Sequence, residues 1–261
     1  MSEPKQTSPG RISRWDLFKV FIASFFMQSV WNFRSLISVG FSACLFPVLN
    51  KLYQTPEEKK EFLLRHLRFF NAHPYLASFA LGVAIRLEEL HAQNREENLD
   101  TLDRMKELLI GPLGAIGDRL FWATIKPATL IVGMVLVLLA PGVSLRWLAL
   151  ATVFLLYNVP HFYFRYRGIV EGYEHPLEIY RFVNQQRFHR LQVTYATILI
   201  VAMLSLLVLF GVKLAGLHGG LAIIFYLSVL YAYGMRKILD NFYLVSLATF
   251  IFFLTVGILF Y

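Results

Sequence analysis

One stretch of this chain constrains its fold more than any other. Residues 193–212 read VTYATILIVAMLSLLVLFGV and carry no charged side chain. A helix of about 20 apolar residues is about 30 Å long, which matches the hydrocarbon core of a bilayer. Only 16% of the residues are charged, against about 25% in soluble domains. The sequence therefore predicts an all-α membrane protein.

Four further apolar runs follow the same pattern in the second half of the chain. They occupy residues 120–140, 147–164, 219–234 and 242–261. With residues 193–212 they predict a polytopic bundle of about five transmembrane helices over residues 119–261. Run 219–234 is shorter than a full span, and run 120–140 contains Lys126. The single cysteine, Cys44, excludes a disulfide framework and is expected to be a packed thiol.

The basic residues predict which side of the membrane each connection faces. The connection from Arg165 to Arg190 holds five arginines, and the turn at 235–241 contains Arg236 and Lys237. Cytoplasmic loops are enriched in Lys and Arg, so both segments should face the cytoplasm. We expect a multi-pass protein of the inner (cytoplasmic) membrane, in which the basic excess contacts lipid and not nucleic acid.

The first half of the chain has apolar stretches that are too short to cross a bilayer. They occupy residues 17–30, 36–49 and 75–87. Such lengths favour buried core helices, or re-entrant or interfacial helical hairpins, over residues 15–118. Residues 1–14 are polar and are expected to be a mobile tail. Residues 15–261 should then form a single membrane domain.

Local signals place several helix boundaries in the first half. Thr55, Pro56 and Glu58 form the pattern of a capping box with proline at the first helical position. Pro74 restricts the preceding residue, so this helix should end near Asn71. The mixed charges of residues 86–107 favour a solvated helical pair, and Gly111 followed by Pro112 is a common helix stop.

The glycine-rich block Gly111-Pro112-Leu113-Gly114-Ala115-Ile116-Gly117-Asp118 does not have the spacing of a nucleotide-binding motif. It is better explained as backbone that bends or packs tightly beside a spanning segment. The chain has no Walker A lysine, no G-x-S-x-G and no H-E-x-x-H pattern. A stand-alone enzyme is therefore poorly supported, and we expect no catalytic residue, metal or cofactor.

The same block, continued by Phe121-Trp122, Thr124 and Pro127, resembles the hallmark of the IID subunit of the mannose/fructose/sorbose class of the bacterial phosphoenolpyruvate-dependent sugar phosphotransferase system. Other parts of the family pattern follow in order between residues 18 and 172. They are Gln28 with Trp31-Asn32-Phe33, Gly40, Pro47 and Leu52-Tyr53; Arg65-His66-Leu67 with Phe69-Phe70-Asn71 and Pro74; Leu81-Gly82-Val83 with Leu87-Glu88-Glu89; and Asn158 with Arg165-Tyr166 and Gly168.

This resemblance implies a subunit without a phosphoacceptor that joins a IIC membrane subunit in a hetero-oligomer. The pair would translocate a hexose-type sugar, which the cytoplasmic phosphocarriers IIA and IIB phosphorylate. Two departures stand out: Arg119 replaces the proline that usually continues the hallmark, and only residues 213–220 fill the place of a longer outward segment. The alternative is a reduced, non-transporting regulatory or interaction protein with the same fold.

Candidate residues for the substrate or the translocation path are polar groups beside apolar segments. Trp31 and Asn32 suit a sugar ring and its hydroxyls, or else an interfacial ring and a helix cap. His66 and Asn71 could line a polar cavity, although a satisfied core histidine is the alternative. Asp118 is either a transport residue or a structural tie to nearby basic or N–H groups. Lys126 is either a snorkelling or a pore-facing cation.

Candidate residues for the cytoplasmic or partner interface are charged. Glu88 and Glu89 could pair with Arg86 or with a partner subunit, or lie on a solvated face. Arg165 and Arg167 could receive IIB or anionic headgroups. The spacing of Gly168 and Gly172 is a small-residue pattern that predicts a helix contact.

Overall fold

A computed structural model describes residues 10–94, 99–183, 185–217, 219–238 and parts of 244–255. The predicted all-α class is confirmed for these residues, whose only β contacts are two isolated bridges at Leu36. The helices are α1 (Arg14–Ser24), α2 (Ser38–Cys44), α3 (Phe46–Leu52), α4 (Pro56–His66), α5 (Ala77–Asn94), α6 (Leu99–Gly117), a π-helical segment (Asp118–Ile125), α7 (Lys126–Leu139), α8 (Val143–Glu174), α9 (Ile179–Phe182), α10 (Gln185–Leu217) and α11 (Gly219–Ile238).

The apolar stretches at 17–30 and 36–49 form short helices that pack on one another. α1 begins at a capping box in which Ser13 and Asp16 exchange hydrogen bonds. α2 and α3 have seven residues each, about 10 Å, so neither is long enough to span a bilayer. Residues 1–9 of the predicted tail lie outside the described residues. The Ile12 N–H donates to the Glu89 carboxylate at 2.7 Å, so the packed unit starts before residue 15.

α4 starts where the sequence predicts and ends earlier. Thr55 and Glu58 exchange the two hydrogen bonds of a capping box. The helix ends at His66, so the predicted end near Asn71 is wrong. The Leu67 carbonyl accepts a hydrogen bond from a hydroxyl of α2, and this tertiary contact stops the helix before Pro74 can.

α5 lies at the centre of the molecule and crosses α8 at close range. A Cβ on Gly172 would lie 2.2 Å from the Phe79 carbonyl oxygen, and one on Gly82 would lie 2.1 Å from the Ile169 carbonyl oxygen. Gly168 meets the side chains of α5 in the same way. The predicted contact at Gly168 and Gly172 is confirmed, and only glycine lets the two backbones approach so closely.

α6, the π-helical segment and α7 follow one another without a break. The predicted helix stop at Gly111 and Pro112 is wrong, because α6 continues to Gly117. Leu109 and Leu113 are buried on one side of α6, and their packing holds the helix through the proline. The predicted tight packing in this block occurs at Gly117, where a Cβ would lie 2.2 Å from a side-chain carbon of His73.

Among the residues that the structure describes, three helical stretches are long and apolar enough to cross a membrane. They are Leu99–Leu139, Val143–Glu174 and Phe188–Leu217. The predicted runs at 120–140, 147–164 and 193–212 lie within them. The run at 219–234 falls in α11, whose apolar part, Ala222–Tyr231, is shorter than a span. Much of the run at 242–261 lies outside the described residues.

Candidate functional site

A buried guanidinium stands where α8, α1 and the start of α5 meet. Arg165 is 3% exposed, and its Nε donates to Nε2 of His161, one turn earlier on α8, at 3.0 Å. Its Nη1 donates to the hydroxyl of Ser24 at 3.0 Å and to the Ser24 carbonyl oxygen. The guanidinium lies 4.7 Å from the ring centroid of Phe25 and 5.1 Å from that of Tyr75.

No carboxylate forms an ion pair with Arg165 among the residues that the structure describes. Ser24 is the last residue of α1, and the carbonyl end of a helix carries partial negative charge. The end of α1 and two aromatic faces therefore stabilise this cation. A buried cation balanced only by dipoles favours any anion or polar group that reaches it.

Aromatic and imidazole rings surround this guanidinium. Tyr75 stacks on His161 at 3.7 Å between ring centroids, and its hydroxyl lies 2.8 Å from that of Tyr157. His73 stacks on Phe121 at 5.3 Å and contacts Trp122 at 5.0 Å. We call Arg165, His161, His73, Tyr75, Tyr157 and Trp122 the aromatic centre.

The aromatic centre has unused hydrogen-bonding capacity. His161 Nδ1 and His73 Nε2 are buried and have no hydrogen-bond partner. Burial, reinforced by the charge of Arg165, lowers the pKa of His73 to about 3, so this imidazole is neutral. Neutral imidazoles, phenol hydroxyls and aromatic faces bind hydroxyl-bearing rings without reacting with them. The arrangement suits binding, and its members offer no activated nucleophile.

A second buried polar cluster fixes Glu88. Its fully buried carboxylate accepts hydrogen bonds from Tyr53 at 2.5 Å, from Arg65 at 3.0 and 3.1 Å, and from His66 at 3.0 Å. Burial alone would raise the pKa of Glu88, but His66 and Arg65 lower it to about 2. Burial lowers the pKa of His66, so a neutral imidazole donates its Nε2–H and Arg65 supplies the charge.

Glu89, the next residue, connects three other parts of the chain through hydrogen bonds. It accepts hydrogen bonds from the Ile12 N–H at 2.7 Å, the Tyr173 hydroxyl at 2.6 Å and Arg86 at 2.8 Å. The solvated face that mixed charges suggested is wrong for Glu88 and Glu89, which are both fully buried. The predicted pair with Arg86 is present, and a partner subunit would have to displace residues of this chain to reach either carboxylate.

Trp31 and Asn32 lie in the turns after α1. The Asn32 side chain accepts the N–H groups of Arg34 and Ser35 at 3.0 and 2.9 Å, so it stabilises its own turn. Trp31 is half-exposed and contacts Phe33, which is 91% exposed. Because the Asn32 amide is used within the turn, and because the rings of Trp31 and Phe33 are exposed, Trp31 can still contact a ligand, a lipid or another subunit.

The remaining path residues are spread over the molecule. His66 is buried against Glu88, whereas Asn71 is exposed in the loop before α5. Asp118 and Lys126 are exposed at the beginning of the π-helical segment and of α7. No hydrogen bond or ion pair joins any two of the six predicted path residues within the described ranges, so their shared role stays a prediction.

The two arginines predicted to face the cytoplasm differ. Arg167 is exposed and pairs with Glu171 on the same helix at 2.8 Å. Arg165, by contrast, points into the protein, so only Arg167 is available to a partner or a headgroup in this structure. Of the aromatic centre, only Arg165 was predicted from the sequence as a functional residue. The one signal in the sequence for the other members is the i, i+4 spacing of His161 and Arg165, which places both on one face of a helix.

Comparisons with known proteins show which family the chain is similar to. The family described as PTS system mannose/fructose/sorbose family IID component matches residues 11–255. The mannose-specific EIID component of Escherichia coli K12 is 32% identical over 176 residues, which is 66% of this chain and 60% of that protein. The fructose permease IID component of Bacillus subtilis is 32% identical over 181 residues, 69% of this chain and 64% of that protein.

A solved structure shares the fold. A chain of the cryo-EM structure of the mannose transporter ManYZ with microcin E492 superposes with a TM-score of 0.60 at 24% identity, covering 95% of this chain and 96% of that one. At this identity the likeness concerns the fold. The matched segments span about 60% of the length of the E. coli relative and 64% of the B. subtilis one.

Proposed function

The chain belongs to the IID component family of the mannose/fructose/sorbose phosphotransferase systems, and we propose that it forms, with a IIC-type membrane subunit, the unit that translocates a hexose-type sugar for phosphorylation by IIB. The observation that carries this proposal is the family match over residues 11–255, and the fold shared with a chain of a mannose transporter over 95% of the residues is consistent with it. The buried polar aromatic centre supports it, because such rings and hydroxyls interact with sugars.

The proposed division of labour follows from where the polar groups lie. Glu88 and Glu89 use their hydrogen bonds within the chain and hold the short helices around α5. The aromatic centre, with Trp122 half-exposed at its edge, keeps unpaired imidazole nitrogens for a polar guest. The cytoplasmic IIA and IIB carriers supply the phosphoryl group, and no step of that transfer requires a side chain of this subunit.

A deletion strain tests the translocation role. Uptake of labelled mannose should be lost without this chain and restored by the wild type, and a IIC-type protein should copurify with the chain in detergent. Trp31→Ala should reduce uptake several-fold. Trp15→Ala, a similarly exposed tryptophan on α1, is the matched control. Full uptake without the chain, or a stable chain with no IIC partner, would favour the non-transporting regulatory protein.

The predicted membrane path can be tested by cysteine labelling. In this proposal five spans leave the connection after α8 in the cytoplasm and the turn before α8 outside. Cys44 is buried, and burial raises the pKa of its thiol to about 12, so it should not react. Val143→Cys should label in whole cells with an impermeant maleimide, and Leu177→Cys should label only after lysis. The reverse pattern would reject this orientation.

A further inference from the structure

A cavity lies between the first turns of α10 and the junction of α6 with the π-helical segment. It encloses about 270 Å³. Its polar side is formed by Arg119, His189, Gln186 and Gln192, and its apolar side includes Leu120 and Phe188. It is separate from the aromatic centre, with which it shares no lining residue.

The electrostatics of this cavity favour an anion. The Arg119 guanidinium and the His189 imidazole have no hydrogen-bond or ion-pair partner among the described residues, and no lining residue is acidic. An unpaired arginine beside the amide of Gln192 matches the oxygens of a phosphate, which accept several hydrogen bonds at once.

The position and size of the cavity indicate that this phosphate belongs to a lipid headgroup. Phe188 begins the third long apolar helix, and Arg119 lies within the first, so the cavity opens between two candidate spans. Its volume is below the roughly 300–1,000 Å³ of pockets that enclose whole drug-sized ligands. A headgroup fits, with its acyl chains along the exposed apolar faces of these helices.

We propose that this cavity binds the phosphate headgroup of an anionic phospholipid. Basic pockets between transmembrane helices bind such headgroups. Arg119 provides the charged contact, His189 and Gln192 orient the headgroup oxygens, and Leu120 and Phe188 contact the glycerol and the first acyl carbons. The bound lipid would add a contact between α6 and α10, which are otherwise linked by the packing of the π-helical segment and α7 on α10.

Native mass spectrometry of the full-length chain, purified in detergent with any membrane subunit that copurifies, tests this site. Titration with a phosphatidylglycerol should show one tight lipid. Arg119→Gln should weaken its binding about tenfold, because it removes a charge-assisted contact. Arg119→Lys should restore most of it. Arg104→Gln, an exposed arginine of α6 outside the cavity, is the control and should bind normally.

Three outcomes would overturn the assignment. They are equal weakening by Arg104→Gln, equal binding of a diacylglycerol that has no phosphate, and binding of glycerol 3-phosphate as tight as that of the lipid. The last result would assign the cavity to a soluble phosphate instead. If Arg119→Gln does not fold, His189→Gln takes its place, and normal lipid binding by that variant would also reject the proposal.

Discussion

The short helices around α5 and the long helix α10 differ in where their apolar and charged side chains lie. In the first region Phe41, Phe62 and Phe79 are fully buried, and so are the carboxylates of Glu88 and Glu89. Along α10 many of the apolar side chains are exposed, and Leu204 is 58% exposed. The first region is organised like the interior of a soluble protein, whereas the second presents its apolar surface to lipid.

α8 combines both kinds of surface within one helix. Its first half exposes Trp147, Leu150 and Phe154, like a lipid-facing span. Its second half buries Arg165 and packs Gly172 against α5. The comparison teaches that polar residues in this protein fix the packed region, while apolar surface alone defines the spanning region. Four substitution pairs test that difference, ordered by expected effect.

The largest effect is expected at the crossing of α5 and α8. Gly172→Leu forces a side chain into the Phe79 backbone, because even a Cβ at this position would lie 2.2 Å from the Phe79 carbonyl oxygen. We expect a loss of about 3 kcal/mol or more in stability, seen as poor accumulation and a lower midpoint of thermal unfolding in detergent. A Cβ at Gly216 on α10 would meet no described atom within 4 Å, so Gly216→Leu should be tolerated. A similar loss of stability from Gly172→Leu and Gly216→Leu would show that the two regions do not differ in how tightly they are packed.

Removing the charge of Glu88 should come next. Glu88→Gln leaves Arg65 without its carboxylate partner in a buried site, which typically costs about 3 kcal/mol. Glu107→Gln, an exposed acid on α6, should change the thermal midpoint little. If Glu88→Gln unfolds at the wild-type temperature, the buried carboxylate does not hold the short helices in place.

The pH dependence of stability should depend on His73. Its folded pKa, about 3, is below the unfolded value near 6.5, so its contribution is present above pH 6.5 and is lost as the pH falls towards 3. The slope from one such proton is at most about 1.4 kcal/mol per pH unit. His73→Phe should flatten thermal unfolding measured over this range, and His175→Phe, exposed after α8, should not. An unchanged slope in His73→Phe would show that His73 is accessible to protons in the folded state.

The smallest effect is expected from a helix cap. Thr55→Ala removes the hydroxyl that accepts the Glu58 N–H and should cost about 1 kcal/mol. Thr197→Ala on α10 removes only a bond to the Val193 carbonyl and should stay within about 0.5 kcal/mol in the same denaturation assay. A larger loss at Thr197 would mean that polar contacts also stabilise the spanning region.

The positions of most helices could be predicted from the local sequence. The uncharged run at 193–212 predicts a span because lipid cannot hydrate a charge, and the Thr55 capping box predicts a helix start because its bonds are local. The helix stop at Pro112 failed for the opposite reason. Tertiary packing of Leu109 and Leu113 decides whether the helix continues there, and local signals do not report it.

The candidate site was only partly readable. His66 and Glu88 appear in the sequence as members of separate motifs, and the fold brings them to 3.0 Å. The aromatic centre joins residues from the loop before α5, the π-helical segment and α8, and its two hydrogen-bonded tyrosines, Tyr75 and Tyr157, are 82 positions apart. No periodicity links such residues, because only long-range packing places them together.

The sequence by itself determined that this chain is an all-α membrane protein of a recognisable family, since hydropathy and collinear motifs are properties of the chain. The tertiary structure decided which charges are inside. Arg165, in an arginine-rich connection, is buried on the carbonyl end of α1, while Arg167, two residues later, is exposed. Two residues are about 200° of helical rotation, so the packing of α8 on α5 and α1 determines which of the two side chains water can reach.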